Sequence, residues 1–164
     1  MAVRLENRCQ RPISFTLERR ICKFLRKVPP EHLIGLAIVI LADVVSHKGS
    51  RKRGALGIYR QKYQQQPCAI ELVPQLIYRG MPRSFFYLPF LADFVLASVL
   101  YHEIGHHYHV RFVHGVRKQQ REDFANEYRN KMLMRVFRRW LMVLRPLWPL
   151  IRWLRTLVAT KDKK

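Results

Sequence analysis

The chain has 164 residues, of which 49% are hydrophobic, 26% charged and 12% aromatic. That is enough apolar material for a packed core, and it excludes a disordered tail, a linker or a fibrous chain, for which nine prolines and seven glycines are also too few. Thirty-one lysines and arginines against eleven acids leave a net charge of +20, so a polyanion or an anionic membrane surface is the expected neighbour.

Three cysteines, Cys9, Cys22 and Cys68, form no C-x-x-C pair and are too few for a disulfide framework, which points to a reducing compartment. The opening MAVRLENRCQRP lacks the apolar run of a secretory signal. A cytoplasmic protein is expected, peripheral to a membrane where its basic surface meets one. Two apolar stretches, Leu33 to Val45 and Phe85 to Tyr101, fall short of the roughly 20 apolar residues a bilayer span needs and read as buried helices.

In chain order, Ile13, Leu17, Ile21, Phe24, Leu25 and Val28 recur at the helical period and predict a first amphipathic helix, stopped by Pro29-Pro30. Leu33 to Val45 is apolar almost all round and predicts a second helix at the centre of the core. After the basic loop His47 to Gly54, the segments Ala55 to Arg60 and Cys68 to Val73 are rich in β-formers and predict two antiparallel strands. Pro74 ends the second strand or puts it at an edge, Gln75 to Tyr78 reads as a further extended piece, and Arg79 to Ser84 as a turn. A long helix is expected from about Leu91 to about Phe112, with a stop at His114-Gly115. Another follows from Lys118 to Leu144, and a short one from Leu147 to Val158, set off by Pro146 and Pro149. The predicted fold class is α+β, a small antiparallel sheet packed on helices. Residues 1–145 form the domain and 146–164 a basic amphipathic tail.

Residues 102–106 read His-Glu-Ile-Gly-His, the H-E-x-x-H pattern, late in a predicted helix. On a helix, positions i and i+4 lie one above the other, so His102 and His106 can aim ring nitrogens at one ion. Glu103, rotated about 100° away, need not bind the metal, yet it lies close enough to hold a metal-bound water and take its proton. Zinc suits neutral imidazoles and an open coordination position. The competing reading is that two histidines merely cover the inner face of a core helix.

Catalytic zinc of this kind takes three protein ligands. His109 lies about 10 Å along the helix axis from His102, too far to share an ion with it. The metzincin pattern would want Gly at position 109 and His at 112, where this chain has His109 and Phe112, and is excluded. The candidates that remain are Glu122, Asp123 and Glu127, whose helix returns antiparallel past His106. The alternative for these acids is a solvated turn near a helix N-terminus.

The stretch Glu122-Asp123-Phe124-Ala125-Asn126 resembles the glutamate helix of gluzincin metallopeptidases, with its E-x-x-x-D or E-x-x-A-N signature. Over roughly Leu33 to Leu144 the order of elements looks like the minigluzincins and the ImmA/IrrE-type regulatory peptidases. The resemblance implies that Glu122 binds zinc and that Asn126 accepts a hydrogen bond from a ligand histidine, fixing its tautomer. It also implies peptide-bond hydrolysis, with zinc polarising the scissile carbonyl and Glu103 relaying the water proton to the leaving amine. Tyr128, His107 and His114 are candidates for oxyanion or substrate contacts, and Ala69 to Val73 for the edge strand that holds a peptide backbone.

From Met132 to Leu157 apolar residues keep the helical period among the arginines at 135, 138, 139, 145, 152 and 155, with Trp140, Trp148 and Trp153 as anchors. Such a segment suits an anionic membrane surface. It equally suits packing on the protein's own core with the arginines wet, and the charge also supports non-specific nucleic-acid contact. A second function class therefore stands beside the peptidase: a non-catalytic basic adaptor, with a structural metal or none.

Overall fold

A computed structural model of the chain describes residues 3–10, 15–44, 54–61, 67–79, 89–112 and 118–144. The fold is α+β. Its strands are β1 (Arg4–Asn7), β2 (Leu36–Leu41), β3 (Gly57–Arg60) and β4 (Cys68–Leu72), and its α-helices are α1 (Phe15–Leu25), α2 (Pro74–Arg79), α3 (Pro89–Phe112) and α4 (Lys118–Leu144), with a 3-10 turn at Pro30–Leu33.

The strands form one sheet in the order β1-β2-β4-β3. β3 and β4 pair antiparallel, Gly57 opposite Leu72 and Arg60 opposite Ala69, as their sequence suggests. The rest of the sheet is parallel, β1 with β2 and β2 with β4, so it is mixed rather than antiparallel throughout.

The largest departure from expectation is Leu33 to Val45, where the 3-10 turn leads into strand β2 instead of a helix. Six apolar residues, LAIVIL, carry no period in themselves, and a strand inside a sheet reads as such a run. Gln75 to Tyr78 also differs: it lies in α2, with Pro74 as its first residue, a position where proline's missing N–H costs nothing. β1, short and charged, carries no apolar signal to read.

One face of the sheet, through Val39, Leu41, Ile70 and Leu72, joins the main core with Leu17, Ile21 and Phe24 of α1, Leu96, Leu100 and Ile104 of α3, and Met132, Leu133 and Phe137 of α4. The apolar stripe of α4 up to Phe137 is thus spent on the protein's own core. Tyr101 fixes the register of α1 against α3, its hydroxyl donating to the Phe24 carbonyl at 3.2 Å. The buried Glu71 of β4 is paired with Arg60 on the neighbouring strand. No described helix is long and apolar enough to cross a membrane. The expected loop His47 to Gly54 up to Arg53, the expected turn Arg79 to Ser84 from Gly80 on, the expected helix stop at His114-Gly115 and the expected helix Leu147 to Val158 lie outside the described residues.

Candidate metal centre

α3 and α4 pack against each other along much of their lengths, and their closest approach is set by two small residues. A Cβ on Gly105 would stand 2.9 Å from the Cα of Ala125 and 3.2 Å from its carbonyl oxygen, so only glycine fits there. Gly105 is the fourth residue of the H-E-x-x-H segment and Ala125 follows Glu122 by three. This crossing brings the Glu122 carboxylate over the two histidines.

The Nε2 atoms of His102 and His106 are 3.1 Å apart. Each lies 3.5 Å from Oε2 of Glu122. Ligands held about 2.0–2.1 Å from a tetrahedral zinc stand about 3.3–3.4 Å from one another, so these three atoms have the spacing of one face of such a polyhedron. Among the described residues, His102, His106 and Glu122 are the group of three histidine, cysteine or acidic side chains close enough to share an ion. Burial pushes the His102 pKa below the ordinary histidine value; the Glu122 carboxylate pulls the other way and Arg129 adds to the lowering. The ring is thereby kept in the neutral form a metal ligand requires. The Asn126 side chain beside it favours the charged form, while the buried Nδ1 of His102 makes no hydrogen bond of ordinary geometry.

The three atoms open onto a cleft of about 620 Å³ whose wall includes Glu103, Arg121 and the β3 residues Gly57, Ile58 and Tyr59. Glu103 is buried. Its Cγ would be 3.1 Å from a Cβ on Gly57, so β3 runs directly against the carboxylate-bearing turn of α3. β3 is an edge strand, whereas β4 is enclosed between β2 and β3. The strand available to a peptide backbone is therefore Gly57–Arg60, not Ala69 to Val73. A glycine inside a short strand is the sequence signal for such a close approach.

Of the three acids open as third ligand, only Glu122 joins the group. Asp123 is exposed and accepts a hydrogen bond from Gln119 at 3.2 Å, and Glu127 is paired with Lys131 at 2.7 Å. His107 is turned away from the site. Its Nδ1 is 3.2 Å from the Tyr59 hydroxyl and its Nε2 is 3.1 Å from the Ile34 carbonyl oxygen. Tyr128 is buried on another face of α4, where its hydroxyl is 2.9 Å from Nδ1 of His32. Neither of them is among the residues that line the cleft, so the structure does not bring these two expected contacts to it. His114 lies outside the described residues. His109, as anticipated, stays apart, buried with its ring 4.9 Å from that of Phe124.

Comparison of the chain with protein-family models, curated proteins and solved structures found no match in any of the three.

Proposed function

We propose that this chain is a zinc-dependent metallopeptidase of gluzincin-like type, acting on a protein or peptide substrate in the cytoplasm. The observation that supports the reading is the convergence of His102, His106 and Glu122 at 3.1–3.5 Å beside the buried carboxylate of Glu103. His102, His106 and Glu122 would hold the ion, and Asn126 would orient the His102 ring. When bound, zinc supplies Lewis acidity and makes water a nucleophile near neutral pH.

The rest of the chemistry falls to the protein's own groups. Glu103 accepts a proton from the attacking water and returns it to the leaving amine, so no separate nucleophile is needed. β3, at the end of the strand order among the described residues, orients an extended peptide by main-chain hydrogen bonds, which presents a scissile bond across the cleft.

The test is zinc content together with hydrolysis of a quenched-fluorescent peptide library by the full chain. The expected result is about one zinc per chain, retained in Glu103→Gln while turnover falls by about 10²–10⁴-fold. Absence of zinc binding would overturn the reading. Zinc bound equally by both proteins, with identical traces in every hydrolysis assay, would leave the basic adaptor with a structural metal.

A further inference from the structure

Beyond Phe137, α4 extends with apolar and basic side chains exposed together. Eight large hydrophobic residues are exposed among the described residues, and four of them, Met134, Trp140, Met142 and Val143, fall within ten consecutive positions of this helix. Isolated exposed apolar residues are ordinary; Trp140 and Val143 lie on other sides of the helix, whereas Met134 and Met142 share one face with basic residues. Trp140 is held flat on Phe90 of α3, their rings 5.4 Å apart and 7° from parallel, so it is a fixed platform rather than a loose side chain.

At 100° per residue, Lys131, Met134, Arg135, Arg138 and Met142 lie within an arc of about 100°. All five are exposed, and the face opposite holds the buried Met132, Leu133 and Phe137. Met134 and Met142 are 58% and 53% exposed, and neither is needed by the core. Glu127, paired with Lys131, is the last acid on this face. From Tyr128 to Lys161 the sequence contains nine lysines and arginines and no acid.

We propose that the outward face of the C-terminal half of α4 is a docking surface for anionic lipid, with Met134 and Met142 entering the headgroup boundary and Arg135 and Arg138 on the phosphates. Charge complementarity selects a polyanion, and the methionines select among polyanions. A phosphodiester backbone in water offers them nothing, whereas the boundary of a bilayer removes them from water while the arginine stems lie along it and their heads stay wet. The two methionines are eight residues apart, about 12 Å, so one flat surface can take both. The inference concerns a face of α4 other than the one that bears Glu122 and does not depend on the metallopeptidase reading.

The experiment is co-sedimentation of the full chain with phosphatidylcholine vesicles, with and without phosphatidylglycerol, alongside binding to a single-stranded oligonucleotide. Melting temperature serves as the fold control for the exposed-site variants. The expected result is salt-sensitive binding to the anionic vesicles only, weakened at least about tenfold in Arg135→Gln/Arg138→Gln and about fivefold or more in Met134→Ser/Met142→Ser. Vesicle binding that is the same in both double variants as in the wild type would overturn the proposal, since residues beyond this face would then carry it. So would oligonucleotide binding that falls in the arginine variant while vesicles are not bound.

Discussion

His102 and His106 on one side of α3, His109 further along that same side and His107 on another face belong to the same helix, within eight residues, yet they are equipped for different work. Both ring nitrogens of His107 are occupied, one by the Tyr59 hydroxyl and one by the Ile34 carbonyl, and its ring ties α3 to β3 and to the entry of β2. His109 is packed against Phe124. His102 and His106 instead direct their Nε2 atoms at each other and at Glu122. Which histidines converge is thus a matter of where the neighbouring helix sets its carboxylate, and residue type alone does not reveal it. A helix that crowds four imidazoles needs its neighbours to decide which pair remains available.

The widest separation between the two pairs is expected in metal content. His102→Ala or His106→Ala should bring zinc from about one per chain to none, whereas His107→Ala should keep it, as read by atomic emission on the purified proteins. Loss of zinc in all three would show that the pairs are not distinct. Next in size is Gly105→Val, which must push Ala125 away and so separate Glu122 from the histidines. Overpacking of this kind costs about 1–3 kcal/mol, measurable as a lower denaturant midpoint in the metal-free protein, and should remove tight zinc binding as well. An unchanged midpoint would mean that the crossing is looser than the geometry implies.

Asn126→Ala addresses the proposed support of the His102 ring and, if zinc binds as proposed, should weaken it by about 10–100-fold in competition with a chelating indicator, with little change in the metal-free fold. The smallest effect concerns pH and the structural histidines. Burial lowers the His107 pKa, with Arg111 acting in the same direction and the Ile34 carbonyl against it, and burial likewise lowers that of His32. In the unfolded chain these rings titrate near 6.5. As pH falls through that value the unfolded state takes up protons first, so stability of the metal-free protein should decline until the lowered folded-state values are reached, then level off. Denaturant titrations across this range should show a shallower decline in His107→Gln; an identical slope would remove His107 from the account.

The site was more legible in the sequence than the sheet. His102, Glu103 and His106 stand at fixed intervals on one helix and Glu122 opens a separate motif on the next, and the bounds of α4 follow from a 3.6-residue period sustained over 27 residues. The segment that forms β2 reads as a helix in the sequence because a short apolar run has no period, and whether it becomes a helix or an inner strand depends on partners remote in sequence. The parallel pairing of β1 with β2, and the enclosure of β4 that hands the outer edge to β3, are likewise properties of assembly. His107 and Tyr128 were drawn into the site because proximity in sequence to a motif says nothing about which way a side chain points on its helix. The close contact of Gly105 with Ala125 was visible only as two small residues, one in each motif, and its meaning emerges when the helices are crossed.

On the metallopeptidase reading proposed above, the division of His102, His106 and Glu122 between α3 and α4 would make a bound ion a clasp. Two of its holders belong to one rod and the third to another, so the pocket exists only while the rods are joined, and whatever occupies it resists their parting. At a free zinc concentration a hundred times the dissociation constant, that resistance amounts to about 2.7 kcal/mol. If the proposal holds, chelation would therefore do more than silence a reaction: it would also loosen the packing of α3 on α4.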